Sequence, residues 1–470
     1  MAESTTANTP ETGQPELKRA IGPKLLFFFV IGDILGTGIY TLTGDVAGKI
    51  GGALWMPFLG AFLVAFLTAF SYLELVGKYP RAAGAALYTN RAWGIHFLTF
   101  IVAFMVMCSG ITSASTAAHG FGGTYLPRAF DIQVSGTVIA IVAVIFVLVL
   151  AAINFRGVSE SVKANVVLTC IELSGLLIII VVGIWAVLQG DGEPSRLVDV
   201  NPPGDQHWTF AIAGATGLAF FAMVGFEDSV NMAEECKEPA KIFPKSLLWG
   251  LAGAGLIYIL VSVTASLLVP ADQLAKAKSN SLFLVLEAGA PGFPLKVFAF
   301  IGLLAVVNSA LINMLMASRL LYGMANERVL PPFFSTVHPL RRTPWVSILF
   351  TTGIAALLVG LVSKDAVSKL GGTTALLLLV VFFVVNIAVL RLRREKVEHK
   401  HFRAPTWAPI LGAILCACLA LPGVSGKKGE DYLIAGILVA GGIVLWGLNW
   451  LYMRARHEEP HHLDPENLTK

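Results

Sequence analysis

Runs of about twenty apolar residues, separated by short polar connections, follow one another along almost the whole chain. Each run is long enough to cross a hydrocarbon layer about 30 Å thick as a helix. The pattern predicts twelve spans, at residues 24–49, 53–77, 94–126, 134–154, 162–188, 208–235, 244–269, 284–326, 343–362, 369–390, 407–423 and 431–454. The third and eighth exceed what a bilayer requires, so each tilts strongly or runs on past the membrane surface. Two spans are interrupted at their middles by glycine and polar residues. The first reads KLLFFFVIGDILGTGIYTLTG from Lys24 to Gly44, and the sixth reads FAIAGATGLAFFAMVGFEDSV from Phe210 to Val230. An unpaired backbone group in lipid costs several kcal/mol, so such a break survives only where it lines a cavity or a site.

Composition agrees with a membrane protein. The chain is 56% hydrophobic and 14% charged, against about 25% charged in a soluble domain, and its mean hydropathy is +0.73. Little chain is left for a soluble domain. The five cysteines (Cys108, Cys170, Cys236, Cys416, Cys418) lack C-x-x-C spacing and sit in or beside spans, so they read as small packing residues rather than a disulfide or metal framework. No metal site is expected.

The distribution of Lys and Arg sets an orientation. With the N-terminus cytoplasmic, the inner connections hold Lys18, Arg19, Lys24, Lys78, Arg81, Arg91, Arg156, Lys163, Lys237, Lys241, Lys245, Arg319, Arg328, Arg341, Arg342, the dense run Arg391–Lys400, Arg403, Arg454 and Arg456. The outer ones hold Arg128, Arg196, Lys276, Lys278, Lys364, Lys369, Lys427 and Lys428. Both termini are therefore expected inside, in keeping with an even number of spans. The net charge of +4 follows from this bias and calls for no nucleic-acid partner. Met1 to Gln14 lacks a basic n-region and a cleavage site, so no signal peptide is expected.

Spans 1–5 and 6–10 follow the same plan, each starting with a broken helix. The breaks lie about 190 residues apart, and five spans separate them, so they are expected to cross the membrane in opposite directions, as in the inverted repeats of secondary transporters. The expected division is a disordered N-terminus at 1–20, repeats at 21–190 and 191–398, an appended pair of spans at 399–455 and a polar tail at 456–470. The basic run Arg391–Lys400 at the border of the second repeat reads as an anchor to anionic lipid.

Gly36-Thr37-Gly38 can leave helical geometry at low cost, and unwinding there exposes amides at a half-helix N-terminus, which attract a carboxylate. The same glycines also fit close helix packing, because Gly32-x-x-x-Gly36 is a small-xxx-small motif. In the sixth span Gly225-Phe226-Glu227-Asp228 places two acids in apolar surroundings, and intramembrane carboxylates mark functional positions. Carbonyls freed at Phe221, Ala222 and Val224 suit an ammonium group. Phe226 either covers a solute or packs in the core.

Four stretches resemble the amino acid-polyamine-organocation superfamily of permeases: IGDILGTGIY (31–40), YLELVGKYPRAAGAALYTNRAWG (72–94), FFAMVGFEDSVNMAEECKEPAKIFPKSL (220–247) and ASRLLYGMANERVLP (317–331). The resemblance implies an all-α membrane fold of about twelve helices, a LeuT-type 5+5 inverted repeat with broken helices 1 and 6, and two C-terminal helices. It implies a substrate carboxylate on Gly36, Thr37 and Gly38, next to Ile39, and an amino group on carbonyls near Phe221, Ala222 and Val224, beside Gly225 and Phe226. It also implies that the Pro80–Trp93 connection is re-entrant. The plan's ion site falls on the carbonyls of Gly32 and Leu35 with the side chains of Asn308 and Ser309. Some relatives place a lysine from the fifth span there; the aligned residue of this chain is Glu172, so that mechanism does not transfer.

A glutamate inside an apolar span is protonated, paired or bound to a cation. Asp33 adds a second acid beside the break, and two such acids share one proton or bind one cation. Glu227 is a candidate for proton sensing or for propping the broken helix, and Glu74, near the inner end of span 2, for a structural tie to Arg81 or another inner-loop base. The expectation is a plasma-membrane secondary transporter of amino acids, proton-coupled and without a cofactor, with H+ or Na+ as the driving ion and the lipid bilayer as surroundings. A neutral substrate is favoured because Val106–Ala114 of span 3 has no acid. Sodium symport, exchange, amine or polyamine transport and a transporter-like sensor stay open. No span carries H-E-x-x-H or G-x-S-x-G, so an enzyme is not expected.

Overall fold

Apolar runs with no water to satisfy their amides close their hydrogen bonds within helices. The computed structural model describes residues 21–80, 84–156, 161–202, 207–326, 330–362, 365–424 and 429–455. The expected polar ends at 1–20 and 456–470 lie outside the described residues, as do Arg81, Arg328, Lys364, Lys427 and Lys428. Span 1 is built of Pro23–Ile34 and Thr37–Ile50, span 2 of Trp55–Lys78, span 3 of His96–Gly120, span 4 of Gly136–Arg156 and span 5 of Ser161–Gln189. Span 6 is Trp208–Ala219 with irregular continuations, span 7 is Pro239–Leu268, span 8 is Leu295–Asn326, and span 10 is Ala366–Leu392. Among the described residues ten helical stretches, span 12 at Gly429–Ala455 included, are long and apolar enough to cross a membrane, and two shorter apolar helices, Trp345–Leu361 (span 9) and Trp407–Ala420 (span 11), bring the set to the expected twelve. No strand forms among the described residues.

One expected boundary is corrected. Residues 284–326 form not a single span but the end of a short helix, Ser281–Gly289, followed by span 8 from Leu295. The A-P-G-F-P sequence between them ends the first helix, with Gly292 at φ +98° and Pro294 unable to donate to a helical ladder. The Pro80–Trp93 connection contains a helix of its own, Gly84–Trp93.

The interrupted spans occupy the centre. In their most apolar windows 83% and 78% of positions are buried, against 33% in span 4 and 17% in span 12, which face outward. Their contacts run in opposite chain directions. Ile21 bridges Cys236, the Asp33 backbone meets Gly225, Gly38 meets Ala222, and Gly51 bridges Val200. As residue numbers rise along span 1 they fall along span 6, so the two lie antiparallel.

At one end of span 2 a connected set of polar contacts holds the bundle to the segment after span 10. Arg393 grips Glu74 through two bonds, Nε to Oε1 at 2.8 Å and Nη2 to Oε2 at 2.6 Å, and Glu74 also accepts from the Ala404 amide at 2.9 Å. Closer to the middle, Asn386 of span 10 donates to Thr68 at 3.0 Å and accepts from Ser71 at 2.6 Å.

Candidate functional site

The first break falls at Leu35 and Gly36. Leu35 ends the first half-helix, its amide donating to Ile31 at 2.9 Å, and Gly36 at φ −58°, ψ −149° turns the chain so that Thr37 starts the second. Interrupting the ladder strips the Ile34 carbonyl of its helical donor, and the Tyr258 hydroxyl of span 7 donates to it instead. The glycines here are contact residues. A Cβ on Gly32 would stand 1.9 Å from Thr169 Oγ1, on Gly36 2.7 Å from Ser309 Oγ, and on Gly38 2.4 Å from the Ala222 Cα. Gly36 and Ser309 are thus brought together, and the Cα face of Gly38 is filled by span 6.

The second break is self-supporting. Span 6 tightens into a 3-10 turn at Phe220–Met223, Val224 is extended, and Gly225 at φ +125° carries a conformation that L side chains rarely adopt. Its amide donates to Glu227 Oε2 at 2.9 Å, and its carbonyl accepts from the Asp228 amide at 3.0 Å. The Phe221 carbonyl accepts from Val224 at 3.4 Å. Phe226 is fully buried between Tyr72 and Phe382, with ring centroids 5.8 and 5.2 Å away, so it packs against spans 2 and 10. Ile39 is buried too.

Beside the first break, spans 1, 5 and 8 bury a set of polar side chains, called the chamber below. Asn165, Thr169 and Glu172 follow one another at helical spacing on one face of span 5. Asn165 donates to Asn308 Oδ1 at 3.2 Å. Both carboxyl oxygens of Asp33 and of Glu172, the hydroxyls of Thr37 and Thr169, Asn165 Oδ1 and Asn308 Nδ2 are buried with no partner. Buried polar atoms are satisfied in the great majority of cases, so the orphaned groups of Asn165, Thr169, Glu172 and Asn308 on spans 5 and 8, and of Asp33 against Gly225, stand out as candidates for meeting something the chain alone does not supply. No Lys or Arg pairs with Asp33, Glu172, Glu227 or Asp228 among the described residues. Asn165 and Thr169 were not foreseen from the sequence; their spacing to Glu172 was the available signal.

A small, partly open cavity with room for about one water molecule lies beyond the second break, walled by Val106, Ser109 and Gly110 of span 3, Val224, Glu227, Asp228 and Asn231, and Asn313 and Met316 of span 8. Span 3 contributes no acid, as its sequence requires, but span 6 contributes two.

A family model for amino acid permeases matches residues 21–451. The chain belongs to the amino acid permease family. The permease is 29% identical over 446 residues to the methylthioribose transporter of Bacillus subtilis, covering 90% of this chain and 93% of that one. It is 26% identical over 426 residues to the branched-chain amino acid permease BcaP of the same organism, covering 87% and 89%. The low-affinity putrescine importer PlaP of Escherichia coli is 25% identical over 422 residues, with 87% and 90% covered. The permease is a multi-pass membrane transporter of small molecules and not an enzyme.

Proposed function

We propose that this permease carries amino acids across the plasma membrane by alternating access, both termini cytoplasmic, with proton entry driving uptake of a neutral substrate. The observation that carries the reading is the antiparallel contact of the two broken helices at mid-bundle, Asp33 to Gly225 and Gly38 to Ala222, which supports an inverted repeat around a central site. The substrate carboxylate takes the amides of Gly36, Thr37 and Gly38, where the second half-helix starts, and the ammonium takes carbonyls at Phe221, Ala222 and Val224. Ile39, Gly225 and Phe226 shape the backbone around it. The coupling cation is held between spans 1, 5 and 8, at Gly32, Asp33, Leu35, Glu172, Asn308 and Ser309; the orphaned carboxyls of Asp33 and Glu172 support that placement.

One observation favours a second reading, an amine or polyamine substrate. The cavity beside Val224 is walled by Glu227 and Asp228, and no basic residue lines it, which suits an ammonium group in place of an apolar side chain. Uptake into liposomes, with amino acids and diamines offered separately under imposed proton or sodium gradients, tests both. Concentration of a neutral amino acid under a proton gradient alone is the expected result. Accumulation of diamines only, or under sodium only, replaces it.

A further inference from the structure

The connection from span 10 to span 11, residues 391–403, holds six basic side chains and two acidic ones. Glu74 takes Arg393. The other five, Arg391, Arg394, Lys396, Lys400 and Arg403, are exposed and close no ion pair among the described residues. They stand on a fixed segment. The Lys78 ammonium donates to the carbonyls of Leu392 and Glu395, the Tyr79 hydroxyl donates to the Glu395 carboxylate, the His399 ring bonds the Gly77 carbonyl at 2.9 Å, and Phe402 stacks on Phe70 at 5.9 Å. Span 11 leaves this segment with an outward apolar face, Trp407, Ile410 and Ile414, of which Trp407 is 60% exposed. An exposed tryptophan at a span's end marks the headgroup level of the bilayer.

We propose that Arg391, Arg394, Lys396, Lys400 and Arg403 form a docking surface for anionic phospholipid headgroups of the leaflet on that side. The charges are unpaired and stand at headgroup height beside a lipid-facing helix. The loop that presents them continues from span 10 and is clamped to the end of span 2, so its charges keep their spacing. Bound headgroups therefore tie the ends of spans 2, 10 and 11 to the membrane as one unit.

The test uses the full-length protein in phosphatidylcholine vesicles with and without phosphatidylglycerol, and counts phosphatidylglycerol retained per protein after detergent washing. Wild type retains it, and raised salt strips it. Changing all five residues to Gln reduces retention to background, since each neutralised charge weakens binding by about fivefold. Lys276→Gln, elsewhere on the surface, leaves retention unchanged. Should the five-site variant fail to fold, Arg391→Gln with Arg394→Gln shows the same direction at smaller size. Retention by wild type no greater than that of phosphatidylcholine, or equal retention by the variants, overturns the proposal. The readout requires no transported solute, so it stands or falls apart from the transport reading.

Discussion

The end of span 2 and the chamber beside the first break each bury a glutamate, and they hold it in opposite ways. Glu74 is 2% exposed and accepts three hydrogen bonds, two of them from Arg393. Glu172 is fully buried and neither of its carboxyl oxygens has a partner. A buried charge with a full set of partners is a strut between elements. One without partners is destabilising as it stands, and the proposed coupling gives it a ligand or proton that comes and goes. The comparison sets a residue that holds the permease together against one proposed to carry its coupling.

The largest stability effect belongs to the strut. Glu74→Ala or Arg393→Ala leaves the other charge buried and unpaired, and should lower unfolding stability by about 3–5 kcal/mol. Thermal unfolding in detergent measures it. Glu74→Leu combined with Arg393→Leu should recover most of the loss, because removing both charges also removes the desolvation cost. Single variants that melt like wild type would end the strut interpretation.

A smaller effect is expected where the two breaks meet. At Gly225 a Cβ would lie 2.8 Å from the Asp33 carbonyl carbon and oxygen, in a conformation at φ +125°. Gly225→Ala should therefore cost about 1–3 kcal/mol of backbone strain and slow uptake markedly. Gly353→Ala, where nothing lies within 4 Å, should do neither. Equal behaviour of the two variants in melting and uptake would mean that the breaks are not fitted to one another.

The spans were legible because hydropathy at bilayer length is a strong signal, and both breaks were legible because glycine and acid stand out against apolar neighbours. The chamber was only half legible. Glu172 and Asp33 are conspicuous as charges, whereas Asn165 and Thr169 are ordinary in a helix until the fold turns their shared face toward span 1. Partnership was legible only as a class. Glu74 pairs with an inner-loop base as expected, but which one, Arg393 more than three hundred positions on, is chosen by long-range packing, which periodicity does not encode. The short helix before span 8 is not legible in hydropathy because its residues are as apolar as the span itself, and only A-P-G-F-P marks the boundary.

Inside the chamber the direction of the stability effect reverses. Glu172→Gln removes an unpaired carboxyl at the cost of no hydrogen bond, so melting should stay within about 1 kcal/mol of wild type or rise. Gradient-driven accumulation in liposomes should fall to simple equilibration while substrate exchange continues. Equal loss of accumulation and exchange, or a melting drop like that of Glu74→Ala, would place Glu172 among the struts.

Thr169→Val should have the smallest effect on stability and is the sharpest test of the comparison. The Thr169 hydroxyl is fully buried, has no partner, and stands against Gly32 at the turn into the first break. Valine keeps the branched shape and removes a buried unsatisfied group, which by itself costs about 1–3 kcal/mol, so stability should be unchanged or slightly higher. If the hydroxyl serves the coupling cation, the same variant should need a steeper gradient for half-maximal accumulation, with exchange unaltered. Uptake measured over a series of gradients separates the outcomes. A gain in stability with an unchanged gradient dependence would reduce Thr169 to a packing residue and confine the proposed coupling site to Asp33, Glu172 and Asn308.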